Sequence, residues 1–264
     1  MLKIKLLPKN DRDQIHRCIK LVDSTYFDNI VLLGDLFPPC LKLTDIYGIF
    51  DHNTLLSFFT VFNGFAAPSV VVPSEESNTE LFILSNLDKI VSNEFTLVTF
   101  TLREKDLTDY CQIEDESSEY CMITNQSKFK PKYHDFFFKR VTPEEYSRID
   151  LFYRSIHTYP WNPIQLESDF YYFFEENSQI IACGGTHFET PELAHLGNVI
   201  VIPEFRGRSF GTALVSTITT NILRKKAYAT LFVTQDNNHA INLYKKLGFF
   251  HHKPVSIFSC KKRD

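Results

Sequence analysis

The chain has 264 residues, of which 44% are hydrophobic and 23% charged, and its formal net charge is −4. Length and composition are typical of a globular protein with one large or two modest domains. The negative balance provides no global basic field, which argues against nucleic acid or anionic membrane as partners. No stretch approaches the ~20 apolar residues of a membrane span, and the charged N-terminal residues do not resemble a signal peptide. We therefore expect a cytoplasmic protein with no membrane partner.

The cysteines do not form a metal-binding pattern. None belongs to a CxxC pair, and no histidine cluster has metal-ligand spacing, so no metal site is predicted. Mostly apolar neighbours predict reduced, packed thiols. Two of them, Cys111 and Cys121, lie in an acidic region and are expected to be the exposed ones. The six positions are Cys18, Cys40, Cys111, Cys121, Cys183 and Cys260.

The first half of the chain predicts a folded α/β domain. Asn10 is a candidate N-cap for a helix whose apolar residues recur at helical spacing as far as Tyr26. Two apolar runs, 46–50 and 55–62, flank the turn Asp51-His52-Asn53 and predict a hairpin. The remaining predicted elements are a strand at 70–72, a helix from Asn78 to about Val91 entered by the capping-box pattern Ser77-x-x-Glu80, and a strand at 95–102.

A polar region separates the two halves. The segments 114–119 and 125–128 are rich in charged and polar residues, as exposed connections usually are. We place the boundary near residue 128, which predicts an N-terminal domain at 1–128 and a second domain at 129–264.

The second half opens like the first. Thr142-Pro143-Glu144-Glu145 combines a capping box with proline at the first helical position. Apolar residues on one helix face follow, and the segments 170–174 and 179–188 then flank the turn 175–178, which predicts another hairpin. Both halves run helix, hairpin, strand, helix, strand. This order suggests that the first half is a degenerate copy of the second, with chance similarity as the alternative.

The most informative stretch is 197–212. Residues Val199-Ile200-Val201-Ile202 predict a strand, Pro203 and Gly207 a turn, and the apolar spacing from Phe210 to Ile222 a helix. The first N–H groups of a helix have no intrahelical partner, and the helix dipole favours negative charge there. With the guanidinium groups of Arg206 and Arg208, this turn is predicted to bind a phosphorylated ligand.

Two motifs in this half resemble those of a known family. Arg206-Gly207-Arg208-Ser209-Phe210-Gly211, following a strand that ends in Val201-Ile202-Pro203, resembles the acetyl-CoA signature Arg/Gln-x-x-Gly-x-Gly/Ala of the GNAT superfamily of N-acetyltransferases. Ser209 stands where the family usually has glycine, which should weaken pyrophosphate binding at most. After one predicted strand, 228–234, the second signature Asn-x-x-Ala-x-x-x-Tyr-x-x-x-Gly-Phe is matched at every defined position, from Asn237 to Phe249.

The resemblance implies a fold and an activity. The fold is the α/β GNAT acyl-CoA N-acyltransferase fold, a mixed central sheet flanked by helices, here in two tandem GNAT-like halves. The activity is transfer of an acetyl group from acetyl-CoA, a co-substrate, to a primary amine. The expected acceptor is a primary amine of a small molecule or of a protein. Neither composition nor motif identifies it, because a fold does not fix a substrate.

The resemblance also implies roles for individual residues. The strand ending at Val201 should splay from its neighbour, so that backbone N–H groups meet the pantetheine arm and the thioester oxygen. Tyr244 corresponds to the tyrosine that protonates the departing thiolate, and Asn237 to a residue that contacts the cofactor arm. The implied cofactor-binding set is Val199, Ile200, Val201, Arg206, Gly207, Arg208, Ser209, Phe210, Gly211, Thr212 and Asn237.

Each of these roles has a structural alternative. Tyr244 is also compatible with a core position on the apolar face of its helix, and Asn237 with a helix N-cap. Arg208 is also compatible with a solvated surface position.

The catalytic base is left open between three residues. Glu189 and His187 lie at the end of the strand 180–188, and His195 lies just before the signature strand. A lone histidine on a strand is more often structural than catalytic. The loop containing Tyr159 and Trp161 is expected either to flank the acceptor site or to cover the edge of the sheet.

The first half lacks the cofactor signature. Glu75 and Glu76 stand where the phosphates would bind, and like charges repel. We expect this half not to bind coenzyme A but to shape the substrate site or to dimerise, so a homodimer is among the expectations. A protein of another class, a non-catalytic acyl-CoA-binding or protein-interaction module with the same fold, is the alternative to the enzyme.

Overall fold

The structure is a computed structural model that describes residues 2–74, 78–132, 134–156 and 160–263. Contacts divide the chain into two compact units: unit 1 comprises residues 1–120 and 253–264, and unit 2 comprises residues 121–252. Within the described ranges, no helix has both the length and the apolar character to cross a membrane.

Helices and strands are interspersed along the chain. The α-helices are α1 (Arg12–Leu21), α2 (Ile30–Gly34), α3 (Asn78–Leu84), α4 (Glu104–Leu107), α5 (Tyr146–Ser155), α6 (Phe210–Leu223) and α7 (Asn238–Lys246). The strands are β1 (Leu2–Leu7), β2 (Thr44–Asp51), β3 (Thr54–Phe62), β4 (Ser69–Val71), β5 (Glu94–Thr99), β6 (Cys111–Asn125), β7 (Lys139–Arg140), β8 (Tyr172–Glu176), β9 (Gln179–Glu189), β10 (Leu193–Val201), β11 (Tyr228–Thr234) and β12 (Phe250–Lys262). Short 3-10 helices lie at Asp23–Asn29, Cys40–Leu43, Leu87–Lys89, Pro143–Glu145, Pro163–Glu167 and Pro203–Phe205.

Each unit contains a mixed sheet. In unit 1 the strand order is β1-β2-β3-β4-β5-β12. Strands β4 and β5 are parallel, whereas β1–β2, β2–β3, β3–β4 and β5–β12 are antiparallel. In unit 2 the order is β6-β11-β10-β9-β8-β7; β10 and β11 are parallel, and β10–β9, β9–β8 and β8–β7 are antiparallel. The predicted α/β architecture and the shared order helix, hairpin, strand, helix, strand are confirmed in both units.

The apolar patterns form the cores as their periodicity predicts. The stripe predicted for α6 is buried: Phe210, Leu214, Val215, Ile218 and Ile222 each expose 7% or less of their surface. Burying a side chain of this kind stabilises the fold by about 1.5–3 kcal/mol. Helix α6 packs across β9 and β10, and this contact fixes where its N-terminus lies.

Both predicted hairpins are present. Strands β2 and β3 pair up to Asp51 and Thr54, which leaves His52 and Asn53 as the two turn residues. Strands β8 and β9 join through Asn177 and Ser178, whose φ angles are both positive, at 49° and 63°. Positive φ at both central residues is the geometry of a type I′ hairpin turn.

The predicted exposed connection at 114–119 is wrong, because it lies inside the 15-residue strand β6. Its acidic side chains mostly face solvent and are bonded locally, as between Gln112 Nε2 and Glu114 Oε1 at 2.6 Å. A strand forms through its backbone, so exposed charge does not prevent it. The prediction that Cys111 and Cys121 are exposed is also wrong: both thiols are buried in this strand.

Two predicted helices are shorter than expected. Helix α1 begins after Asp11, not Asn10, since the Asp11 carboxylate accepts a hydrogen bond from the N–H of Gln14, and it ends at Leu21. The helix predicted as far as Val91 stops at Leu84, where the side chain of Asn86 donates to the carbonyl of Phe82. Asparagine competes for backbone groups in this way and favours helix ends. Ser77, the predicted capping residue, lies outside the described residues.

The compact units differ from the predicted domain ranges at two points. The division in the middle of the chain falls at residues 120 and 121, within β6, and residues 253–264 belong to unit 1. The physical reason for the second difference is that β12 pairs with β5, from Ser256 opposite Thr99 to Lys261 opposite Glu94. The domain boundary near residue 128 stays a prediction.

Candidate functional site

The turn between β10 and α6 has an open backbone. Gly207 and Ser209 both have positive φ, 76° and 68°, and Ser209 is the N-cap residue of α6. Its hydroxyl makes no capping hydrogen bond to the helix. The first-turn N–H groups of α6 are therefore not satisfied by a cap, which is the condition for binding an anion there.

Two arginines border this turn. The Nε of Arg206 donates to the carbonyl of Val201 at 3.1 Å, and the guanidinium of Arg208 lies 5.0 Å from the ring centre of Phe205. Both side chains are exposed, and neither forms an ion pair with any residue in the described part of the chain. Their positive charges are thus available to a bound anion.

Aromatic side chains pack against Phe210, which follows the turn at the start of α6. The ring of Phe210 is buried and stacks on Phe136 at 4.2 Å, with Phe174 at 5.0 Å. A methyl group added to Gly211 would lie 3.7 Å from Val201 and 3.9 Å from Leu243, so α7 packs beside the turn. The residue after Leu243 is Tyr244.

Strands β10 and β11 separate before they end. Their parallel register runs from Leu193 opposite Tyr228 to Leu196 opposite Leu231 and stops there. Both strands continue, β10 to Val201 and β11 to Thr234. Val199, Ile200 and Val201 thus lie on the part of β10 beyond its pairing with β11, as the resemblance implies.

A bulge in β10 accompanies this separation. Gly197 pairs with Gly185 and Ile200 with Cys183, so β10 has one more residue than β9 over this interval. Asn198 lies in the bulge with φ of 54°. A bulge redirects the backbone groups that follow it.

A buried polar cluster surrounds Asn198. Its Nδ2 donates to Oε1 of Gln165 at 2.8 Å and to the hydroxyl of Tyr171 at 3.0 Å, and its carbonyl accepts from the hydroxyl of Tyr153 at 2.8 Å. Burial raises the pKa of Tyr153 well above its ordinary value, so its hydroxyl is a permanent donor. This cluster is not predicted from the sequence. One signal was available: Asn198 interrupts a β-branched run, and asparagine is rare in strands.

Tyr244 lies in α7 with its ring 5.9 Å from that of Phe249. Its side chain is half-buried, and burial raises the pKa of its hydroxyl to about 12. At neutral pH it carries a proton that it can donate.

Asn237 caps α7. Its Oδ1 accepts from the N–H of Ala240 at 3.0 Å, the interaction expected for an N-cap residue. The same geometry leaves its Nδ2 group outside the capping interaction.

The candidate bases occupy different places. Glu189 accepts from Ser168 at 2.6 Å and pairs with Lys226 at 3.7 Å. It lies opposite Ala194, in the part of β10 that is still paired with β11 and five residues from Val199, or roughly 16 Å of strand. The structure therefore separates Glu189 from the open part of β10.

His187 is half-buried, whereas His195 is buried. His187 lies against Gly197, where an added methyl group would come within 2.0 Å of its ring, and it is hydrogen-bonded to Asn198. Burial lowers the pKa of His187 below 6.5. His195 stacks on Phe188 at 4.5 Å and is bonded to Thr230 at 2.9 Å, which is a core environment.

Trp161 takes part in the packing around this cluster. Its ring stacks on Tyr153 at 4.0 Å, and its Nε1 donates to Asp150 at 2.8 Å. Tyr159, its neighbour in the predicted acceptor loop, lies outside the described residues. Over the described ranges, no group of three or more His, Cys, Asp or Glu side chains could hold a metal ion.

Comparisons with known proteins show what this chain is similar to. Residues 133–249 match the Acetyltransferase (GNAT) family. An uncharacterised N-acetyltransferase of Methanocaldococcus jannaschii is 38% identical over 65 residues, which are 24% of this chain and 29% of that protein. The match thus spans less than a third of the relative's length.

Solved structures share the fold. A GNAT-family protein of Novosphingobium aromaticivorans superimposes with a TM-score of 0.66 at 16% identity, covering 88% of this chain and 97% of its own. A tandem GNAT protein from the clavulanic acid biosynthesis pathway gives a TM-score of 0.63 at 13% identity over 100% and 99% of the two chains. The chain therefore has the fold of GNAT proteins, including that of a tandem GNAT protein, and its residues 133–249 match the family model for GNAT acetyltransferases.

Proposed function

We propose that unit 2 is an N-acetyltransferase that moves an acetyl group from acetyl-CoA to a primary amine. The observation that carries this proposal is the early separation of β10 from β11 beside a turn whose helix has no capping side chain. Acetyl-CoA supplies a thioester carbonyl and a thiol leaving group. A phosphorylated ligand with a long arm matches the chemistry of these two features.

The turn is proposed to hold the pyrophosphate. The backbone of Gly207 to Thr212 supplies N–H donors at the positive end of the helix dipole. Arg206 and Arg208 supply guanidinium donors that no carboxylate in the described chain occupies.

The open part of β10 is proposed to hold the acyl arm. Beyond Leu196, β10 still pairs with β9 but no longer with β11. The N–H groups of Val199, Ile200 and Val201 that face away from β9 can therefore donate to the arm and to the thioester oxygen. Donors fixed in a folded backbone need no reorganisation, so they stabilise charge that develops on the oxygen.

Tyr244 and His187 are the proposed proton carriers. With a pKa of about 12, Tyr244 keeps its proton until the thiolate departs and can then donate it. His187 is neutral at neutral pH, because burial lowers its pKa, and it lies beside the bulge. It is the better candidate for the base, since Glu189 is held by Lys226 at the far end of the hairpin.

Thermal unfolding with and without acetyl-CoA tests the proposal. A ligand that binds only the folded state at a hundredfold excess over its Kd stabilises by about 2.7 kcal/mol. We expect a raised midpoint in the wild type and none in Arg206→Ala/Arg208→Ala. The matched control is Arg12→Ala/Arg17→Ala, which removes two exposed arginines from α1 of unit 1 and should retain the shift. No shift in the wild type would overturn the proposal.

A further inference from the structure

The bulge at Asn198 is held in an unfavourable backbone conformation. With φ of 54°, Asn198 lies in the left-handed region, which side-chain-bearing residues rarely adopt. Such a residue persists only where the surrounding structure holds it.

Three buried side chains provide that hold. The Asn198 side chain uses both amide hydrogens, on Gln165 and Tyr171, and Tyr153 donates to its carbonyl. Gln165 exposes 2% of its surface, and Tyr153 and Tyr171 expose none. Unmatched polar groups are costly at such depth, so each bond resists a change of the bulge.

The partners are themselves fixed by packing. Tyr153 lies in α5, stacks on Trp161 at 4.0 Å and meets Tyr171 edge-on at 6.4 Å. Behind the bulge, a methyl group on Gly184 would lie 3.2 Å from the Cα of Val199, so β9 leaves little room for the bulge to relax. The cluster therefore fixes the direction in which the backbone leaves Asn198.

We propose that Asn198 is a positioning residue: its side-chain bonds to Gln165 and Tyr171 hold the bulge so that the following N–H groups point at the thioester oxygen. This inference rests on the proposed function. Asn198 itself does not contact the reacting atoms; the proposed role is exerted through the backbone of Val199 to Val201. Because Asn198 is also bonded to His187, the proposed base, a loss of turnover alone would not distinguish the two routes, and the carbonyl band decides.

The test measures the bound thioester directly. Acetyl-CoA labelled with ¹³C at the thioester carbonyl is bound to the full chain, and the carbonyl stretch is read by infrared difference spectroscopy. In parallel, calorimetry gives the Kd of acetyl-CoA and that of coenzyme A, which lacks the carbonyl.

Three variants and one control separate the effect of the left-handed backbone at Asn198 from the effects of the hydrogen bonds that hold it. Asn198→Gly permits the left-handed backbone without the side-chain bonds, whereas Asn198→Ala permits neither. Tyr153→Phe keeps the ring but removes the hydroxyl that donates to the backbone carbonyl of Asn198 and contacts the thiol of Cys183. The matched control is Asn177→Ala, since Asn177 also has positive φ, at 49°, but lies in the exposed β8–β9 turn.

The wild type and the control should show a carbonyl band shifted to lower frequency on binding and tighter binding of acetyl-CoA than of coenzyme A. In Asn198→Gly and Tyr153→Phe the band should return towards its position in water and the preference for acetyl-CoA should disappear. The Kd of coenzyme A should change less than about twofold, because the turn that holds the phosphates is intact. Turnover should fall by roughly a hundredfold, the cost of a misplacement near 1 Å.

The outcomes separate the two proposals. If Asn198→Gly and Tyr153→Phe keep the shifted band and the preference for acetyl-CoA, the positioning role is overturned while the proposed function stands. If the wild type does not bind acetyl-CoA, both are overturned. Should Asn198→Ala fail to fold, the other two variants still decide.

Discussion

The two units have the same order of elements but differ in how far their parallel strands stay paired. In unit 1, β4 and β5 pair from Ser69 opposite Thr96 to Val71 opposite Val98, and the N–H of Val72 still bonds to the carbonyl of Val98. In unit 2, β10 leaves β11 after Leu196, five residues before it ends. A closed pair offers no backbone donors to a ligand, whereas an open pair does.

The turns that follow these strands differ as well. In unit 1, Ser74 is bonded on both sides, its N–H to Asn29 and its hydroxyl to the carbonyl of Asp28. In unit 2, no side chain caps the corresponding helix, and two arginines border it. Glu75 and Glu76, the carboxylates predicted to repel phosphate in unit 1, lie outside the described residues. Of the two units, only the second has, among the described residues, the opened strand pair that the proposed acyl-CoA site requires.

The largest expected effect comes from Tyr244→Phe. General acid catalysis contributes ~10²–10⁴-fold in rate, so release of coenzyme A in the presence of amines should fall by that factor while the Kd of acetyl-CoA is unchanged. Tyr47→Phe, a half-buried tyrosine in β2 of unit 1, is the control and should keep full turnover. Unchanged turnover in Tyr244→Phe would favour the alternative in which the tyrosine is only a core residue.

The next largest expected effect is on the pH dependence of the free energy of unfolding, which should have opposite signs in the two units. In unit 1, burial raises the pKa of Asp35 from 3.8 to about 7, while a hydrogen bond from Thr60 at 2.6 Å opposes this. The folded state therefore keeps its proton where the unfolded state has lost it, and stability falls as pH rises from about 4 to 7. The rise in the pKa of Asp35 from 3.8 to about 7 corresponds to a loss of at most roughly 4 kcal/mol in the free energy of unfolding.

Asp35→Asn removes that titration. It should raise the free energy of unfolding at pH 8 and flatten its dependence on pH between about 4 and 7, as measured by urea unfolding at several pH values. In unit 2 the dependence has the opposite sign: the lowered pKa values of His187 and His195 reduce stability as pH falls below 6.5. A variant with the wild-type profile above pH 4 would contradict the assignment to Asp35.

Local patterns predicted most of the fold. Hairpins, the α6 stripe and the two signatures depend on residues close in sequence, so they could be read directly. The strand β6 was missed because its charges resemble a loop, and the Asn198 cluster because Tyr153, Gln165 and Tyr171 meet it only after folding. The separation of β10 from β11 followed from resemblance alone, since no residue pattern encodes where a strand pair opens.

The smallest expected effect lies at the one departure from the family signature. Ser209 has φ of 68°, in the left-handed region, where a side chain costs about 1–2 kcal/mol and glycine costs less. Ser209→Gly should raise the free energy of unfolding by about 0.5–1 kcal/mol, because the greater freedom of glycine in the unfolded chain offsets part of the gain. Removing the side chain should also let phosphate approach the backbone more closely and lower the Kd of acetyl-CoA a few-fold.

Ser178→Gly is the matched control, since Ser178 has φ of 63° in the exposed β8–β9 turn. Both variants should gain similar stability in urea unfolding, but only Ser209→Gly should bind acetyl-CoA more tightly. Equal Kd values in calorimetry would mean that the serine hydroxymethyl group does not hinder the phosphates, and that this departure from the signature affects folding alone.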